Sequence, residues 1–143
     1  MKHFIRLLAC MSFSVILTVP VSADVAIIVH PNNPIESLTH KEVQRLFLGR
    51  ILMFPNSKTK IYSIDQNEES PIFKRFYEKV VNMNATKLKK YRAFYLFSGK
   101  GRLPLVVDKK EDVIRHVSTT ENSISYVDSK YVTSGVKVVF TMP

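Results

Sequence analysis

The chain has 143 residues, with 21 Lys and Arg against 12 Asp and Glu, a single Cys and no Trp. That length suits one ordinary domain, and 45% hydrophobic with 23% charged residues marks a folded protein rather than a disordered tail. Four Gly and seven Pro exclude collagen-like and Gly-rich classes, and one Cys excludes a disulfide scaffold or a thiolate zinc cluster. The formal charge of +9 suggests a nucleic-acid binder until the charges are placed.

Residues 1–23 have the layout of a cleaved secretory signal peptide. Lys2 and Arg6 form a basic start, Leu7 to Val19 an apolar run, and Pro20 with Val21-Ser22-Ala23 a cleavage region before Asp24. The run is shorter than the roughly 20 residues a membrane-spanning helix needs. Leu7-Leu8-Ala9-Cys10 resembles a lipobox, but Arg6 leaves no apolar stretch ahead of it, so Cys10 reads as part of the run. The expected product, residues 24–143, is a bacterial periplasmic domain free of Cys, as suits an oxidising compartment.

Val25 to Val29 is apolar on both faces and predicts a central strand, closed by His30-Pro31-Asn32-Asn33-Pro34. Leu38 to Gly49 predicts a helix. Thr39 and Glu42 make a capping box, Leu38 and Val43 a hydrophobic staple, and Val43, Leu46 and Phe47 a buried stripe that ends at Gly49. Ile51 to Phe54 reads as a short extended or turn segment. Lys60 to Asp65 alternates as a strand with one covered face. Ser70 at an N-cap and Pro71 at the first helical position open a helix through Ile72, Phe73, Phe76, Tyr77, Val80 and Val81. Asn84 caps a third helix through Leu88, Tyr91, Tyr95 and Leu96, which ends near Ser98-Gly99. Leu105-Val106-Val107 is too short to assign alone. Asp108 and Glu111 predict another capping box, with Val113, Ile114 and Val117 inward. Ser123 to Val127 and Val136 to Phe140 are the last two strands. The fold class is α/β, one domain with a mixed β-sheet flanked by helices.

Without residues 1–23 the charge is +7, and all of the excess lies between positions 87 and 110. Lys87, Lys89, Lys90, Arg92, Lys100, Arg102, Lys109 and Lys110 are opposed there only by Asp108. Three readings fit: a solvated helix face, a surface attracting phosphate-like solutes or acidic lipids, and a nucleic-acid surface. Export and the lack of any zinc-finger or RNA-recognition signature argue against nucleic acid. Contact with a membrane is then peripheral.

No catalytic constellation emerges, so no enzyme is expected. His30, His40 and His116 lack metal-ligand spacing, and neither metal nor cofactor is expected. No nucleophile elbow, Ser-x-x-Lys motif or P-loop is present. Glu68-Glu69 complements a helix N-terminus rather than forming an acid–base pair. Ser98-Gly99-Lys100-Gly101-Arg102 reads as a helix C-cap and turn, or as a flexible basic loop offering N–H groups to an anion. Ser70 is the best solute-site candidate, with a hydroxyl at a helix start; the alternative is an N-cap and nothing more.

Taken in order, Val29-His30-Pro31, Asn33-Pro34, Leu46-Phe47-Leu48-Gly49, Asp65-Gln66, Ser70-Pro71, Phe76-Tyr77, Phe97-Ser98-Gly99-Lys100-Gly101 and Ile124-Ser125-Tyr126-Val127 make the chain resemble the short, phosphate-binding-protein-like members of the periplasmic solute-binding superfamily. The resemblance implies a domain over residues 24–143 corresponding to one of the two lobes that close over the anion. It implies Ser70 as a phosphate contact; Arg75 and Lys100 are added as candidate helpers and are not carried over from the family. The family's Ser-Gly-Thr reads Ser70-Pro71 here, its preceding Arg has no match, and Ser125 stands where its later Gly would be. Two functions follow. One is an exported binding protein for phosphate or a similar oxyanion, serving an ABC-type transport system. The other is a non-transport envelope accessory module that reuses the lobe without a small-molecule ligand. Lys87, Lys89, Lys90, Arg92 and Arg102 then form its basic interaction surface, and a transporter or another envelope protein is the partner.

Overall fold

A computed structural model describes residues 24–143; the signal-peptide assignment falls outside them. In chain order the elements are β1 (Val25–Val29), α1 (His40–Phe47), β2 (Tyr62–Gln66), α2 (Pro71–Arg75) continuing as a π-helical turn (Phe76–Val80), α3 (Ala85–Phe97), β3 (Leu105–Val107), α4 (Lys110–Thr119), β4 (Ser123–Asp128), a 3₁₀ turn (Ser129–Tyr131) and β5 (Lys137–Met142). The sheet order is β3-β2-β4-β1-β5. β3, β2 and β4 run parallel, while β1 is antiparallel to both β4 and β5. The α/β class and the mixed sheet match the sequence reading.

β1 is central because both of its faces are apolar. Val25, Ile27 and Val29 point into a core with α1, α2 and the π turn, where Leu46, Phe47, Phe76 and Tyr126 meet. Ala26 and Ile28 point the other way, onto Val113 and Val117 of α4. The two-residue period of a strand thus feeds two layers of helices from five residues.

The caps of the first three helices form as their residues dictate. Thr39 and Glu42 complete the capping box of α1, Ser70 Oγ accepts from Phe73 N–H, and Asn84 accepts from Lys87 N–H. Leu38 and Val43 are both buried, as the staple requires. The α1 C-terminus closes as a Schellman motif: Gly49 at φ 70° donates to Leu46 O, and Arg50 N–H donates to Arg45 O. α4 departs from expectation. Its N-cap is Lys109, without a side-chain bond, and Asp108 instead accepts from Asn67 Nδ2 at 3.1 Å. Tertiary competition for the carboxylate removes the expected box, although Glu111 and Asp112 still favour the helix dipole. Leu105-Val106-Val107, unassignable alone, becomes an edge strand by pairing with β2. Ile51 to Phe54 contributes an isolated bridge, Met53 to Lys60.

The π turn has a visible consequence. Widening the helix by one residue per turn lets the adjacent Phe76 and Tyr77 both face inward, together with Val80. Gln44 Nε2 donates to Val80 O at 2.9 Å, and His40 Nε2 is bonded to the same oxygen. The terminal carbonyl of the turn is thereby satisfied from α1.

Candidate functional site

The C-terminal end of β2 and the loop into α2, residues 65–70, form the candidate site. Open α/β sheets place ligands outside the carboxyl ends of parallel strands, at such a loop. Its centre is Asp65, fully buried. The Asp65 carboxylate accepts from Tyr77 Oη at 2.8 Å, from Tyr126 Oη, from Arg92 Nη2 and from Gln66 N–H. Four donors from β2, the π turn, α3 and β4 thus converge on one buried charge. Arg92 also donates to Tyr77 Oη at 2.7 Å and lies over the Phe73 and Tyr77 rings. Burial, reinforced by the facing Asp65 carboxylate, raises both Tyr77 and Tyr126 well above the ordinary tyrosine range. Both therefore act as neutral O–H donors.

The loop itself is bonded inward. Glu69 N–H donates to Asn67 Oδ1, and Ser70 N–H to Asn67 O. Gln66 Nε2 donates to Tyr126 O at 2.7 Å. Pro71 has no N–H to offer. Ser70 Oγ accepts from Phe73 N–H and keeps its own proton to donate.

The other expected residues are placed as follows. Arg75, at the end of α2, pairs with Asp128 at 2.6 Å, at the end of β4. Lys100 is exposed in the turn beyond α3. Lys87, Lys89 and Lys90 are exposed on α3, and Arg102 is exposed on the way to β3. Arg92 differs from these surface cations: its side chain is 14% exposed and is turned onto Asp65, with Glu68 at 3.7 Å. The structure thus moves Arg92 from the basic surface into the interior, because a buried carboxylate outcompetes water for a guanidinium held within reach. Among the described residues no group of three or more His, Cys, Asp or Glu side chains could hold a metal ion, and no helix is long and apolar enough to cross a membrane.

Sequence reasoning missed Asp65, Tyr77 and Tyr126 as a unit. Asp65 closes an alternating strand, and the two tyrosines occupy apolar-stripe positions, so each alone reads as ordinary. The available signal was chemical: a tyrosine on a buried stripe needs a partner for its hydroxyl.

A cleft of about 470 Å³ opens elsewhere, between the end of α1, β2, β3 and α4. Leu46, Ile51, Ile61, Leu103 and Leu105 line it, with Arg102 and His116 as polar members. It does not include Ser70.

No protein-family model matches the chain, and no curated protein does. Solved structures do. A putative phosphate ABC transporter substrate-binding protein with bound phosphate, from Clostridium perfringens, aligns at TM-score 0.66 and 22% identity over 82% of this chain and 45% of that one. PstS from Borrelia burgdorferi aligns at TM-score 0.64 and 18% identity, over 82% and 47%. An ABC-type phosphate transport receptor from Vibrio cholerae aligns at TM-score 0.61 and 17% identity, over 82% and 46%. These relatives are described as transport receptors and substrate-binding proteins, not as enzymes. The chain spans less than half the length of these structures, and its fold is that of the matched part of these phosphate-transport substrate-binding proteins.

Proposed function

We propose that this is an exported solute-binding-type lobe acting as a docking module of the bacterial periplasm, rather than as a phosphate clamp. The observation that carries the reading is the state of the donors around Ser70. An oxyanion site needs N–H, hydroxyl and guanidinium groups free to converge on the ligand. Here Arg92 is held by Asp65 and Arg75 by Asp128, while the Gln66, Glu69, Ser70 and Phe73 N–H groups bond within the protein. Glu68 and Glu69 add negative charge at the same place. The partner is a transporter component or another envelope protein or surface, met by the exposed cations of residues 87–102.

The second reading is an oxyanion-binding protein for an ABC-type transport system. It is favoured by the Clostridium perfringens protein, which has bound phosphate on a similar fold, and by the spare proton on Ser70. Calorimetry with phosphate and with sulfate, at millimolar concentration in low salt, separates the two. The docking reading expects no saturable heat. Saturable binding that is weakened by Ser70→Ala would overturn it in favour of the transport reading.

A further inference from the structure

Residues 87–106 combine two properties that rarely share a surface without purpose. They carry Lys87, Lys89, Lys90, Lys100 and Arg102, all exposed, and no carboxylate until Asp108. They also carry six of the exposed large hydrophobic residues: Phe94, Leu96, Phe97, Leu103, Leu105 and Val106. Phe97 is 92% exposed and Phe94 69%. On α3, positions 87, 90, 94 and 97 fall on one face at i, i+3, i+7 and i+10. Leu88 on the opposite side is buried. The outer face therefore reads Lys, Lys, Phe, Phe along the helix: cations toward its N-terminus and aromatic rings toward its C-terminus. Lys100 in the turn after the helix, and Leu105 and Val106 on β3, are exposed as well.

From this we infer that the outer face of α3 and the turn after it bind an anionic phospholipid bilayer peripherally. The inference deepens the docking reading above by naming the surface docked upon. Lys side chains stay at headgroup level, where each gains from the negative surface potential, while Phe94 and Phe97 enter the headgroup–acyl boundary. A second copy of the chain is the poorer occupant: parallel packing of two such faces sets Lys87 and Lys90 against like charges, and antiparallel packing sets them over the partner's rings, in both cases with no carboxylate on the face to neutralise the four ammonium groups. A fluid bilayer conforms to rings that stand clear of their neighbours, and its phosphates match an uncompensated row of ammonium groups.

The experiment is vesicle sedimentation of the protein recovered from cells expressing its whole sequence. Phosphatidylcholine vesicles are compared with vesicles containing about one-third phosphatidylglycerol. Binding to the anionic vesicles alone is expected, weakened about tenfold by each of Phe94→Ser and Phe97→Ser, which leave the charge unchanged. Lys87→Glu with Lys90→Glu, or half-molar salt, should abolish it. All four positions are exposed, and circular dichroism of each variant reports that the fold is kept. No binding to anionic vesicles at low salt overturns the proposal, as does binding that ignores both Phe substitutions. A Lys-dependent protein partner found in place of lipid binding overturns the bilayer assignment but leaves the docking reading standing. Absence of both removes the docking reading too.

Discussion

The Arg92 guanidinium on α3 donates to the Asp65 carboxylate at the end of β2, 27 positions away in the chain. This pair ties the third helix to the sheet at the carboxyl end of β2. An internal carboxylate receives the positive charge of Arg92. Tyr77 and Tyr126 complete its shell.

Removing both members of that pair should cost less than the two single losses added together. Asp65→Asn leaves the largely buried Arg92 charge with only the exposed Glu68 carboxylate beside it and is expected to lower stability by about 3 kcal/mol. Arg92→Met leaves the fully buried carboxylate with hydroxyl and backbone donors only, at a similar penalty. The double variant should fall short of the sum of the two by about 1–3 kcal/mol. Urea unfolding of the four proteins measures the coupling, and strict additivity would refute the pairing.

Alkaline pH should unfold the protein through the two buried tyrosines. Their folded pKa values lie well above the ordinary 10.0, chiefly because burial disfavours the phenolate. Below the unfolded value both states hold the protons and stability is constant. Above it the unfolded chain releases protons that the folded one keeps, so stability falls by up to about 1.4 kcal/mol per pH unit for each tyrosine. Tyrosinate absorbance followed with circular dichroism should show Tyr77 and Tyr126 ionising together with loss of the fold. Replacing either by Phe should shallow the slope.

Gly49 should not tolerate a side chain. It sits at φ 70°, and a Cβ there would meet the Arg102 carbonyl oxygen at 2.9 Å. Gly49→Ala is expected to cost about 2 kcal/mol through left-handed strain and displacement of the segment leading to β3. Gly99→Ala is the control, with φ 65° and no atom within 4 Å of the added carbon. It should cost about 1 kcal/mol. Thermal unfolding ranks the two, and equal losses would remove the steric contribution of Arg102.

The helix caps offer a graded check. Thr39→Ala and Ser70→Ala should each lose about 1 kcal/mol. Glu42 is held below the ordinary carboxylate range, first by the Thr39 backbone N–H and then by the Thr39 hydroxyl. A depressed folded pKa contributes stability above the unfolded value that is lost as pH falls through the folded one. The destabilisation by Glu42→Gln should therefore be present at neutral pH and shrink in acid. A difference that stays constant down to pH 2 would contradict the capping box.

Local chemistry was enough for the α/β class, the central position of β1, the caps at Thr39, Ser70 and Asn84, and the glycine stops at Gly49 and Gly99. Each of these depends on residues within about four positions of one another, and strand and helix periods expose them directly. The order of segments also carried the likeness to one solute-binding lobe. What lay beyond the sequence depended on partners distant in the chain. β3 became a strand only through β2, and Asp108 left its cap for Asn67. Arg92, one of eight cations in a basic run, turned inward because Asp65 is buried beneath it. The +9 that opened the sequence reading therefore divides in a way composition could not foresee: one guanidinium neutralises an interior carboxylate, while the exposed lysines share their surface with Phe94 and Phe97. Charge is a property of the sequence, but the tertiary fold sets which charges meet water, because only packing determines where a carboxylate loses its solvent.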